Sequence, residues 1–188
     1  MLFPPLPLLQ PPRLVLRALA LSDAPAYYKR LGSSAAVCRH MLWQPHQDIS
    51  QSIASIRKTL ARYAAGGCYR WAITSRADGQ LMGVVELLRF EEADNSCSFA
   101  YMLAEPFWNQ GYATEALEAV FSFAFQDMQV QRITADHFAD NPASGAVMRK
   151  AGMVYTRCIP GKYEKQGIRH DALEYTITAQ QWQRRTQI

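Results

Sequence analysis

The chain has 188 residues, 49% of them hydrophobic and 19% charged, with a net charge of +4. That supports one sizeable core in one domain. It excludes a membrane span, because no apolar run reaches roughly 18 residues, and it argues against direct nucleic-acid binding, because no dense Lys/Arg block is present. The mild positive charge permits an anionic ligand. Cys38, Cys68, Cys97 and Cys158 show neither CxxC nor metal-ligand spacing. Reduced cytoplasmic thiols and no metal site are expected.

Residues 1–12, MLFPPLPLLQPP, are apolar but broken by prolines and lack a positive leader and cleavage site. They read as an extended lead-in or a packing strap before a domain over 13–188. RLVLRALALSDAPAYYKRLG reads as a strand and then a helix, with Ser22 or Asp23 as cap, Pro25 in the first turn and Gly32 at the exit. A second helix is expected over DISQSIASIRKTLARYAAGG, where Ile49, Ile53, Ile56 and Leu60 fall near helical spacing. A meander follows, from the strands CYRWAIT, LMGVVELLRF and SCSFAYML.

PFWNQGYATEALEAVFSFAF then gives a helix from about Tyr112 to Phe125. The strand QRITADHFAD precedes a short helix in NPASGAVMRKAG, capped by Asn141 with Pro142 first. A long-looped hairpin follows, then a terminal helix whose capping box is Thr178 with Gln181. The order β-α-α-β-β-β-α-β-α-β-β implies an α+β domain: a mixed, mostly antiparallel sheet with helices on both faces, α/β/α in three layers.

Two segments carry chemistry. In NQGYATEAL, small residues at Gly111 and Ala113 open a helix, where unpaired N–H groups and the helix dipole favour an anion. It is neither a Walker loop nor a Rossmann fingerprint, and a plain turn is the alternative. In ADNPASGAVMRKAGM, Asn141 caps a helix and Ser144 lies in its first turn; a simple helix start is the alternative.

Together, SFAYMLAEPFWNQGYATEALEAVFSFAF and ADNPASGAVMRKAGM resemble the GNAT acetyltransferase superfamily, most of all its RimJ/RimL-type ribosomal-protein N-terminal acetyltransferases. The resemblance runs from RLVLRALALSDA to GIRHDALEYTIT. It implies a V-shaped splay between the two central parallel strands, SFAYML and ITADHFA, which takes the pantetheine arm of acetyl-CoA by strand addition near Met102 and Leu103. The N–H groups of Gln110, Gly111, Tyr112, Ala113 and Thr114 would hold the pyrophosphate, with Asn141 and Ser144 beside the arm. Trp108 suits this branch. Ser98 stands where relatives often carry Glu.

The implied reaction is direct acetyl transfer from the thioester to an amine, with no covalent enzyme intermediate. A backbone N–H near Leu103 would stabilise the oxyanion. Ser144 or a nearby Tyr would be the acid. Glu86, His137 and Glu105 are the choices for the base. Lys150 and Arg149 either steer phosphates or serve the helix end. The acceptor is a peptide or protein N-terminus or a small amine, and the protein a monomer or homodimer. A catalytically degenerate acyl-CoA sensor and a ribosome-binding module are the rival readings.

Overall fold

A computed structural model of the chain describes residues 1–186. Seven strands form one sheet: β1 (Leu14–Ala18), β2 (Tyr69–Ser75), β3 (Leu81–Glu91), β4 (Ser96–Leu103), β5 (Arg132–Phe138), β6 (Val154–Lys165) and β7 (Ile168–Thr178), in the order β1-β2-β3-β4-β5-β7-β6. Among the described residues only β4 and β5 are parallel, and every other pair is antiparallel. The strand between Gln131 and Asp140 and the third meander strand lie where the sequence pattern places them. Their neighbours differ by a residue or two.

The first helical segment departs from a single helix. It is broken into a 3-10 turn at Leu21–Asp23, α1 (Ala24–Tyr27), and a wider π-type turn over Tyr28–Gly32. Asp23, rather than Ser22, organises the start: its carboxylate accepts from the Ala20 N–H at 2.8 Å and is held by Arg17 at 2.7 and 2.9 Å. A short α2 (Ala35–Cys38), capped by Ser34, was not foreseen.

The helix α3 (Ile49–Ala65) forms as expected, but its buried stripe is Ser52, Ile56 and Thr59, and Ile49 is exposed. Ser52 can be buried because its hydroxyl pairs with His46 Nδ1 at 2.8 Å, and Thr59 because it donates to the Ser55 carbonyl. Three more helices follow: α4 (Tyr112–Gln126), α5 (Pro142–Lys150) and α6 (Ala179–Thr186). The Thr178–Gln181 capping box opens α6, with bonds of 2.8 and 3.3 Å.

Helices cover both sheet faces. On one, Leu117, Val120 and Phe121 of α4 pack with Trp71, Val85, Phe99 and Ile133. On the other, Tyr27, Leu31 and Ile56 pack against Ala72, Val84 and Met102. Residues 1–12 cross the first face as a strap. Pro4 and Pro7 carbonyls accept from Tyr69 Oη at 2.5 Å and Trp71 Nε1 at 2.8 Å, and Leu9 bridges to Leu16.

Gly83 sets the closeness of β3 to β4. A Cβ there would stand 2.3 Å from the Met102 carbonyl oxygen. Gly83→Ala is therefore expected to cost about 2 kcal/mol or more. The melting temperature should fall by roughly 4–8 °C for a chain of this size. A thermal melt within about 1 °C of the parent would show that the strands can part without cost.

Candidate active site

The site begins where the sheet comes apart. β4 and β5 pair only through Ser96–Arg132, Cys97–Ile133 and Ser98–Thr134. Beyond Ser98, β4 continues to Leu103 against β3, and β5 continues to Phe138 against β7, with no further pairing between them. The result is a V with its mouth toward the C-terminal ends of both strands.

Pairing parity decides which backbone groups face the opening. The Ala104 N–H donates to the Met82 carbonyl at 2.8 Å, so alternate residues of β4 turn their groups toward β3. Met102 is one of these. Its N–H and C=O are turned to Val84 and away from the opening, a correction to the expectation that its backbone offers a strand edge there. The groups of Phe99, Tyr101 and Leu103 face the gap. The Leu103 carbonyl is already taken by the Trp108 indole N–H at 2.6 Å, which leaves the Leu103 N–H.

At the mouth lies the turn into α4. Gly111 is its N-cap in the left-handed region, at φ 82°. No hydrogen bond among the described residues engages the N–H groups of Gln110, Gly111, Tyr112, Ala113 or Thr114. Five successive free amides at a helix N-terminus form an anion cradle. The Gln110 side chain is folded back onto the Pro106 carbonyl at 2.7 Å, leaving its amide clear. Ala113 is buried against the core, and Thr114 and Tyr112 are half-buried.

Arg13 holds this turn, a role the sequence did not disclose because Arg13 is remote in the chain. Its guanidinium donates to the Gln110 carbonyl at 3.1 Å, pairs with Glu115 at 2.6 Å, and lies 4.4 Å from the Tyr112 ring centre. Glu115 would otherwise set a negative charge in the first turn of α4, beside the cradle. Arg13 neutralises it.

Across the gap stands α5. Asn141 accepts from the Ser144 N–H at 3.4 Å, a helix cap as well as a wall. The Tyr101 hydroxyl reaches from β4 to Ser144 Oγ at 3.3 Å. Burial pushes the Tyr101 phenol up, partly offset by its bond to Ser144. The hydroxyl thus stays protonated, able to donate.

The other two sequence-predicted candidates separate. Glu86 projects from β3 into a cavity of about 360 Å³ beneath α3, its carboxylate 3.6 Å from Arg62. Tyr101, Ala100 and Met102 line the same cavity, which joins it to the splay. His137 is elsewhere. It is 5% exposed, pairs through Nδ1 with the Phe138 carbonyl at 2.7 Å, stacks on Tyr175, and its Nε2 would lie 2.7 Å from a Cβ at position 145. Strand parity put His137 under α5, where Gly145 leaves just enough room for the ring, so it packs that helix rather than facing an amine. Glu105 is an exposed residue of a 3-10 turn.

Other expectations resolve simply. Arg149 is bound to Tyr175 Oη at 2.9 Å, Lys150 is exposed, and Arg185 donates to the Lys150 carbonyl. Ser98 sits at the closed end of the V, donating to the Leu88 carbonyl, and does not line the cavity. Burial pushes the thiols of Cys38 and Cys97 up to about 11 and about 12, which keeps both protonated. The hairpin of β6 and β7 closes over the end of β5. Lys162 and Tyr163 bind Asp136, and Lys165 reaches the Cys38 and Arg39 carbonyls at 2.7 and 2.8 Å.

A sheet opened between two parallel strands, with unpaired amides of a helix start at its mouth, has room and polarity for an extended anionic ligand. The acetyltransferase (GNAT) domain model matches residues 13–154, and the chain belongs to that family of acetyltransferases. The uncharacterized N-acetyltransferase YoaA of Bacillus subtilis is 27% identical over 171 residues, 91% of this chain and 96% of that protein. The ribosomal-protein-serine acetyltransferase of Escherichia coli is 27% identical over 82 residues, 44% of this chain and 46% of that one, a link to the RimJ/RimL-like branch. Among solved structures, a GNAT acetyltransferase from Bacillus anthracis superposes with a TM-score of 0.84 at 18% identity, over 93% of this chain and 99% of that one. RimL, a ribosomal L7/L12 alpha-N-protein acetyltransferase in complex with coenzyme A, superposes with a TM-score of 0.82 at 20% identity, over 92% and 98%. Among the described residues, no helix is long and apolar enough to cross a membrane.

Proposed function

We propose that this protein transfers an acetyl group from acetyl-CoA directly to a primary amine, the α-amino group of a peptide or protein N-terminus being the favoured acceptor. The observation that carries the proposal is the continuity of three parts. The free amides from Gln110 to Thr114 lead to the opened strand edge at Leu103, and Tyr101 joins that edge to the cavity holding Glu86.

The chain's own groups have distinct tasks in this reading. The cradle amides hold the pyrophosphate, and the free Leu103 N–H at the mouth pairs with the amide-bearing arm as it enters the gap. This alignment alone supplies much of the rate, since well-oriented reactants reach effective molarities of roughly 10⁵ M. The Tyr101 N–H, deeper in the gap and beside the cavity of Glu86, can bind the developing oxyanion. Glu86 takes the proton that the incoming ammonium must lose, and the Tyr101–Ser144 pair returns one to the leaving thiolate. The cysteines take no part. The unpaired thiols support a reducing, cytoplasmic setting.

A thiol-release assay with purified protein, acetyl-CoA and an amine panel tests the proposal. Release should require both acetyl-CoA and an amine; tight coenzyme A binding with no release on any amine would support the sensor instead. Ser144→Ala and Tyr101→Phe should each lower kcat by about tenfold to a hundredfold. Neither should move coenzyme A affinity by more than about threefold, because both act on the leaving group. Equal losses in kcat and in affinity would remove the pair as the acid.

A further inference from the structure

The cavity beside the splay has a charge pattern that the transfer reaction does not require. Three permanent cations, Lys58, Arg62 and Arg70, line it against a single carboxylate, Glu86. His46 adds no charge at neutral pH, since burial pushes its imidazole down. Lys58 and Arg62 lie on one face of α3 with Ser55, at the i, i+3, i+7 spacing that turns them together toward the cavity.

These cations are only partly used by the protein itself. Arg62 has one partner, Glu86, at 3.6 Å. Lys58 makes no ion pair or hydrogen bond among the described residues. Arg70 is the informative one. It sits on β2 directly across from Glu86, donates through Nη2 only to the neutral Tyr27 hydroxyl at 3.3 Å, and keeps a buried Nε with no partner. A buried guanidinium N–H left unbonded is unfavourable, and its donors match the two oxygens of a carboxylate.

We infer that the acceptor carries a carboxylate within a few atoms of the amine, bound by Arg70 with Arg62 and Lys58 while Glu86 faces the amine. The inference rests on the acetyltransferase reading and names its substrate class. A volume of about 360 Å³ lies at the small end of ligand pockets and suits one or two residues of a chain. The carboxylate belongs either to a free amino acid or to an acidic residue at the start of a peptide. Polyamines are disfavoured: their second ammonium would enter among three cations.

The test is a comparison of kcat/KM on the full chain. Acceptors are free glutamate and its diamide, amidated peptides beginning Ser-Glu and Ser-Gln, and spermidine. At least one acidic acceptor should exceed its neutral counterpart by about tenfold or more, as expected for a charge-assisted bond. The free and peptide arms tell the two sources apart. The preference should shrink as salt is raised. In Arg70→Gln it should fall toward one while coenzyme A titration shows the same affinity, and the exposed Lys58→Gln should erode it in part. Equal use of acidic and neutral acceptors, or a preference for spermidine, would overturn the inference with the acetyltransferase reading intact. No turnover on any amine, with coenzyme A bound, would sink that reading and this inference together.

Discussion

Replacing Gly111 by valine is expected to weaken coenzyme A binding by at least about tenfold. Gly111 sits at φ 82°, and the left-handed region costs an ordinary residue roughly 1–2 kcal/mol. A β-branched side chain costs more, and its Cβ would meet Arg13 Nη2 at 3.4 Å. The chain escapes by rotating out of the left-handed state, which swings the neighbouring amides away from a common point. Since about 1.4 kcal/mol is a factor of ten, the strain alone accounts for the expected loss. Calorimetric titration of coenzyme A reads the effect. A dissociation constant within about twofold of the parent's would move the pyrophosphate away from this turn.

Glu86→Gln is expected to reduce kcat by about a hundredfold or more, the range a positioned general base supplies. The amide keeps the shape and a hydrogen-bonding oxygen near Arg62 but cannot accept the ammonium proton. Coenzyme A affinity should be unaffected, because Glu86 lies in the cavity rather than along the cradle. A kcat within about threefold of the parent would transfer the base to another group.

How far the site was legible depended on distance along the chain. The helix start at Gln110 to Thr114 was readable because its parts are consecutive, while its role toward a pyrophosphate came from the family resemblance and is part of the proposal. The Asn141 cap was readable for the same reason. Glu86 could be named as a carboxylate in an apolar strand, which turns either to solvent, the reading the sequence favours, or into a cleft. Its placement opposite Ala100 and Arg70 follows from strand pairing, and only the cover of α3 makes that face a cavity. His137 shows the converse. Its place on β5 names a face and not what lies over that face, and α5 lies over it. Met102 failed for a related reason: which of two adjacent residues turns its backbone outward is set by the register with β3, which no local pattern records.

Arg13 and Arg70 carried no local signal at all. Arg13 reaches the cradle across 102 positions in sequence, through Glu115. Arg70 looks like an ordinary polar residue on a half-buried strand until Tyr27 and Glu86 are brought beside it. The sequence by itself determined the order of the strands and of the longer helices, and the turn that opens α4 at Gly111, because turn geometry, capping and periodicity act over a few residues. The tertiary structure alone decided where the sheet parts, which side chains share the acceptor cavity and what charge that cavity carries. Those are sums over elements distant in the chain, fixed only when the sheet and its helices pack.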